Sequence, residues 1–190
     1  GIVYRVRFTM ERLTKPEKSW IFYDWANSVY VAVMISAVFP VYLTSEIGRD
    51  GDLWWSLGTF AATLTIALLG PFMGALADYR GMKKKLFSVF LSIGLLFTLL
   101  TAFAGQWQLM LLGYVLSHIG FLGANLYYDS FLTDVTGKER MDKVSSWGYG
   151  MGYIGGSTIP LLLGLGVIAA VAGGGFEFKS VVKPAILIAV

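Results

Sequence analysis

Charged residues along the chain fall in clusters and leave long apolar stretches between them, at 20–43, 53–77, 86–104, 108–132 and 144–172. A sixth stretch opens near Val181 and is still apolar at Val190. Each of the first five approaches or exceeds the ~20 residues that cross ~30 Å of hydrocarbon at 1.5 Å rise per residue. Membrane β-strands would instead be ~10 residues of alternating polarity. A cleavable leader would be shorter than the first stretch and followed by a small-residue cleavage site, which is lacking. The pattern predicts an all-α membrane protein with five complete transmembrane helices and a truncated sixth. Both ends read as cut, since position 1 is not Met and Val190 sits inside an apolar run. Met10 opens a short basic segment and is the expected native start. Residues 1–19 are then an N-terminal leader, with 1–9 upstream of the native chain, and 20–190 are the transmembrane unit.

Composition agrees. The chain is 56% hydrophobic and only 14% charged, against about 25% charged in soluble domains. Neither a soluble globular domain nor a disordered segment has that balance. With no cysteine and one histidine, disulfides, thiolate metal sites and a His-based metal centre are excluded, and no cofactor is implied. The net charge of +3 would suggest nucleic acid in a soluble protein, but placement explains it better. Arg5, Arg7, Arg12, Lys15 and Lys18 precede stretch one; Arg80, Lys83, Lys84 and Lys85 lie between two and three; Lys138, Arg140 and Lys143 lie between four and five. Twelve of the 15 basic residues therefore share one side, opposite only Arg49, Lys179 and Lys183. The positive-inside rule predicts a multi-pass protein of the cell membrane with a cytoplasmic N-terminus, and lipid rather than nucleic acid as its surroundings. Loops are short, so any chemistry must lie among the helices or on the cytoplasmic hairpins.

Polar residues inside such helices are expensive and mark candidate sites. In stretch one, Asp24, Asn27 and Ser28 share a face at 100° per residue. Asp24 reads either as an interfacial carboxylate near a helix N-terminus or as a cavity-facing group for a cation, a proton or a substrate amine. In stretch four, His118, Asn125 and Asp129 are seven and four residues apart and fall on one stripe. A lone membrane histidine is commonly a packed core residue, and Asp129 can reach the headgroups. Both readings stand open for each. Thr59, Thr63, Ala67, Gly70 and Gly74 form a small-residue stripe on stretch two, which predicts close helix packing. Gly148, Gly152 and Gly156, four apart in stretch five with Gly150, Gly155 and Pro160 nearby, predict a closely packed, bendable helix.

The hairpin after stretch two carries Gly74, Leu76, Asp78, Gly81, Lys83 and Lys84. It resembles the signature loop of the major facilitator superfamily, Gly-x-Leu-x-Asp-x-x-Gly-x-Lys/Arg-Lys/Arg, in both motif and position. Lys18-Ser19-Trp20 followed by Tyr23-Asp24-Trp25-Ala26-Asn27-Ser28 is similar to the vacuole-effluxer-like branch of that superfamily. So are Phe131-Leu132-Thr133-Asp134 and Val144-Ser145-Ser146-Trp147-Gly148. The resemblance implies a six-helix half bundle of the major facilitator type, the N-terminal half of a twelve-helix protein whose C-terminal half is missing here.

It also implies a secondary active transporter of a small solute, such as an amino acid, working by alternating access with proton coupling. Asp24 is then the coupling or substrate-amine residue, with Tyr23, Trp25, Asn27, His118, Asn125, Tyr128 and Asp129 as lining or coupling candidates. Gly74, Asp78, Gly81, Lys83 and Lys84 are the gating loop. The partners implied are the solute, a proton or other coupling ion, the bilayer and the missing half. Two other classes compete: a receptor or scaffold on the same fold, which would bind without flux, and a membrane-embedded lipid enzyme. The enzyme reading has only the acidic group Asp134, Glu139 and Asp142, interleaved with basic residues as in a solvated loop.

Overall fold

The computed structural model describes residues 12–158, 162 and 178–190. Met10 and the basic residues before it, Pro160, and the far end of the stretch predicted to reach 172 lie outside the described residues. Helix α1 (Lys15–Tyr30) runs through a π-helical segment (Val31–Ala37) into α2 (Val38–Ile47), one continuous helix of 33 residues. Then follow α3 (Asp50–Ala77), α4 (Met82–Phe103), α5 (Trp107–Val135), a short turn at Lys138–Arg140, and α6 (Met141–Tyr153) with a π-helical end at Ile154–Thr158. Helix α7 (Phe178–Ile188) closes the chain. Among the described residues there is no strand, and four helices are long and apolar enough to cross a membrane: α1–α2, α3, α4 and α5. The predicted count of five plus a sixth is thus four among the described residues, because much of the fifth predicted stretch lies outside them.

Local chemistry sets the ends. Thr14 caps α1 with a reciprocal pair: its hydroxyl accepts from the Glu17 N–H, and the Glu17 carboxylate accepts from the Thr14 N–H at 2.8 Å. Pro16 in the first turn needs no N–H partner. Pro40 explains the π segment, since it lacks an N–H and its ring crowds the carbonyl four residues back; the Val38 N–H there bonds to Val33, five residues back. Gly48 and Gly81 take φ of 67° and 78°, left-handed values at which a Cβ is strained, and each makes a tight turn between spans.

Packing is closest between α4 and α5. A Cβ on Gly120 would run into the Gly94 backbone, one on Gly113 into Thr101, and one on Gly123 into the Phe90 ring. Gly120→Ala is expected to cost about 1–3 kcal/mol by overpacking, read as lost unfolding free energy in mixed micelles. Gly74→Ala, where a Cβ meets nothing within 4 Å, should stay within about 0.5 kcal/mol of wild type or gain slightly. Helix α3 is tied to α5 by the Thr59 and Tyr114 hydroxyls at 2.7 Å and by the Tyr127 hydroxyl donating to the Met73 carbonyl at 3.0 Å.

The small-residue stripe of α3 is a correction. Thr63, Ala67 and Gly74 are exposed, and neither Gly70 nor Gly74 approaches a neighbour. Instead, Gly51, Gly58, Ala62 and Met73 are the buried residues, with only Thr59 of the predicted stripe in the contact. The exposed exterior of α3 and α4, with Phe60, Leu68, Phe72 and Phe103 all above 60% exposed, is the apolar surface that a bilayer would cover. The core gathers Tyr30, Met34, Phe39, Leu43 and Tyr114 around Val182 and Ile186 of α7.

Candidate functional site

Two seams meet on α1. The first faces α5 and is aromatic. The Trp20 indole N–H donates to the Tyr128 carbonyl at 3.1 Å, and the Tyr128 hydroxyl donates to the Trp20 carbonyl at 3.2 Å. Their rings stack with centroids 4.6 Å apart, and Tyr23 leans on Tyr128 at the same distance while its edge meets Phe87 of α4. Buried Trp and Tyr find partners for their polar tips in this way, and the reciprocal pair fixes the register of α1 against α5.

The second seam faces α6 and is made of glycine. A Cβ on Gly148 would meet the Trp20 ring at 2.5 Å, one on Gly152 the Asp24 Oδ2 at 2.5 Å, and one on Gly156 the Ser28 Cβ at 2.9 Å. Gly155 similarly leaves room for the Trp25 backbone and indole. The expectation of a closely packed stretch five holds for its described part. Both helices turn π-helical at the far end of this seam, at Val31–Ala37 and Ile154–Thr158, and those segments touch. Such turns often lie at functional sites.

The predicted site residues therefore divide. Tyr23, Asp24, Tyr128 and Asp129 come together: Asp24 is half-buried on the glycine seam, and Asp129 is exposed on α5 within electrostatic reach of it. Among the described residues neither carboxylate has an ion-pair partner. The basic side chains pinned nearby are engaged elsewhere, Lys83 with Asp134 at 2.7 Å and Arg140 with Glu17 at 2.9 Å. Trp25 lies against Gly155 on the glycine seam. Asn27, placed on the Asp24 face by periodicity, turns to a different neighbour: it lines a cavity of about 80 Å³ with Tyr23, Tyr30, Thr98 and Phe121. Asn125 is half-buried, and its Oδ1 is buried with no hydrogen-bond partner among the described residues.

His118 stands apart from the carboxylates, in the core. It is 4% exposed and stacks with Tyr30, Tyr114 and Phe121. Its Nδ1 has no hydrogen-bond partner among the described residues. Beside it, the hydroxyls of Tyr30, Ser117 and Thr98 form a chain at 2.8 and 2.6 Å that ends on the Gly94 carbonyl at 2.7 Å.

In the α3–α4 hairpin, Asp78 caps α3 and is exposed, and Gly81 makes the turn. Lys83 reaches back across α5, donating to the Ser130 carbonyl at 3.4 Å and pairing with Asp134, its ammonium 5.4 Å from the Phe131 ring centroid. Lys84 is exposed. Sequence reasoning missed Glu17, which is buried and accepts from the Thr14 N–H, the Thr136 hydroxyl at 2.8 Å, and the Arg140 Nε and Nη2 at 2.9 Å. A signal existed, since Thr14-x-x-Glu17 is a capping box, but nothing local pointed to Arg140.

Residues 55–136, from α3 into the turn after α5, match the family model described as vacuole effluxer Atg22 like. The chain is 46% identical over 167 residues to a protein of Bacillus subtilis (strain 168) described as an uncharacterized MFS-type transporter, YxiO; the match covers 84% of this chain and 39% of that protein. It is 30% identical over 141 residues to a protein of Aquifex aeolicus (strain VF5) described as an uncharacterized protein, covering 74% and 35%. The chain thus spans well under half the length of these relatives. No solved structure matches it. Together with the signature loop at the α3–α4 hairpin, these similarities show that the chain belongs to the vacuole-effluxer-like family of the major facilitator superfamily.

Proposed function

We propose that this chain is the N-terminal half of a secondary active transporter that moves a small solute, an amino acid being the first candidate, by alternating access coupled to protons. The observation that carries the reading is the pair Asp24 and Asp129, two carboxylates in helices built to cross a membrane, within electrostatic reach and without a paired cation among the described residues. Intramembrane carboxylates of this kind mark ion or proton pathways. Asp24 is the coupling residue in this reading. Tyr23, Trp25, Asn27, Asn125 and Tyr128 line the path, and His118 serves the core behind it. The basic end of the bundle faces the cytoplasm at the plasma membrane, and the other half of the solute site comes from chain beyond these 190 residues.

The test is uptake of a pooled amino-acid panel into proteoliposomes holding the full-length protein, with and without an inward proton gradient. Gradient-driven accumulation supports the reading. Binding with no flux in folded protein would instead make it a receptor or scaffold. The hairpin adds a second expectation. Lys83 is tethered to Asp134 of α5 while Asp78 and Lys84 are exposed, which supports reading Asp78 as a gate against the other half. Asp78→Asn should lower the maximal rate about tenfold with KM within about twofold, the pattern of a slowed conformational step; an unchanged maximal rate removes the gate.

A further inference from the structure

The glycine seam matches α1 rung for rung. Trp20, Asp24 and Ser28 are four apart, and so are Gly148, Gly152 and Gly156 that receive them. At the middle rung, a Cβ on Gly152 would have Asp24 Oδ2 at 2.5 Å and Ser28 Oγ at 3.0 Å. Gly150 on the same helix meets nothing within 4 Å, so the closeness belongs to the seam and not to α6 as a whole. The Asp24 carboxylate therefore rests on bare backbone, in space that any other residue at 152 would take. From α5 it is faced by the Tyr128 hydroxyl and the Asp129 carboxylate, and Tyr23 of its own helix lies within reach of both acids. From α6, Tyr149 is drawn into this set through Tyr128.

We propose that Gly152 is a positioning residue for Asp24: by lacking a side chain it holds the carboxylate in the α1–α6 seam at a set separation from Asp129. This rests on the coupling role given to Asp24 above. A methyl at 152 must push the carboxylate out of the seam, changing both its distance from Asp129 and its exposure to water, the two factors that govern where a buried acid titrates. No bond to substrate is involved, so the effect is carried through Asp24.

The test needs no known solute. Dicyclohexylcarbodiimide modifies protonated carboxyls in apolar surroundings, and labelling of Asp24 is followed against pH by mass spectrometry of the full-length protein, with Asp24→Asn as the blank. Gly152→Ala is expected to displace the midpoint of labelling by about one pH unit, while Gly150→Ala leaves it at the wild-type value. A Gly152→Ala midpoint equal to wild type overturns the proposal. Should that variant fail to insert, Ser28→Cys with Gly156→Cys decides, because the 190 residues contain no cysteine and the two Cβ positions, 2.9 Å apart, reach disulfide spacing when the seam gives by less than about 1 Å. The pair should cross-link under mild oxidation and slow Asp24 labelling about tenfold relative to the reduced protein, as expected if the closed seam is what shelters the carboxylate. Failure to cross-link, or equal labelling in both states, overturns it. If Gly152→Ala moves the midpoint but Asp24→Asn leaves transport intact, the coupling role falls and the positioning role stands.

Discussion

Asp24→Asn is expected to abolish gradient-driven accumulation while leaving solute exchange in place. Asn is nearly isosteric, so it keeps its place against Gly152 and the helix inserts as before. What it loses is the ability to take up and release a proton. With one proton per solute and no membrane potential, a gradient of about one pH unit supports about tenfold accumulation. In Asp24→Asn the inside-to-outside ratio should stay at about one, the value without coupling, however long the gradient is held. Asp129→Asn should be milder, because Asp129 is exposed on α5 among the described residues whereas Asp24 is half-buried against α6. Uptake time courses in proteoliposomes read both, with counterflow showing that the Asp24→Asn protein still binds and exchanges. Full accumulation in Asp24→Asn would remove Asp24 from the coupling mechanism.

The largest effect on stability is expected at Arg140. The Glu17 carboxylate is 2% exposed, and two of its four donors are the Arg140 Nε and Nη2. Arg140→Ala leaves that carboxylate buried with only the Thr14 N–H and the Thr136 hydroxyl. Breaking a buried pair from one side costs about 3–5 kcal/mol, because an uncompensated charge stays behind. Arg140→Lys should recover only part of this, since an ammonium restores the charge but not the two-pronged fork. Glu17→Gln combined with Arg140→Met should lie well above Arg140→Ala, as no buried charge is then left alone. Unfolding in mixed micelles measures the series. A loss below about 1 kcal/mol for Arg140→Ala would place this contact with ordinary surface ion pairs.

The helices were legible because hydropathy reports the hydrocarbon they would cross, but their ends were not. Helix α1 begins at Lys15 instead of 20, α4 at Met82 instead of 86, and α5 runs to Val135 instead of 132. Backbone hydrogen bonding continues into polar turns that a hydropathy boundary excludes. Periodicity placed Asp24 and Ser28 on one face correctly, yet Asn27 beside them meets a different neighbour, since one helix face can be shared between two partners. The glycines of stretch five were read rightly as a packing surface, whereas the stripe at Thr63, Ala67, Gly70 and Gly74 was not. Small residues permit close approach without requiring it, and only the fold decides which stripe is used. Contacts far apart in sequence, Glu17 with Arg140, Trp20 with Tyr128 and Lys83 with Asp134, had no local signal at all. His118 shared a stripe with Asp129, but it lies eleven residues earlier, about 16 Å along the helix, and that depth puts it among aromatic rings.

The most direct test of the coupled-transport reading is solute-induced proton movement in proteoliposomes of the full-length protein, followed by an internal pH dye as the amino-acid panel is added. The account predicts acidification of the lumen when solute is supplied outside, absent in Asp24→Asn and restored by the wild-type residue. Solute entry with no proton movement in folded wild-type protein would contradict it.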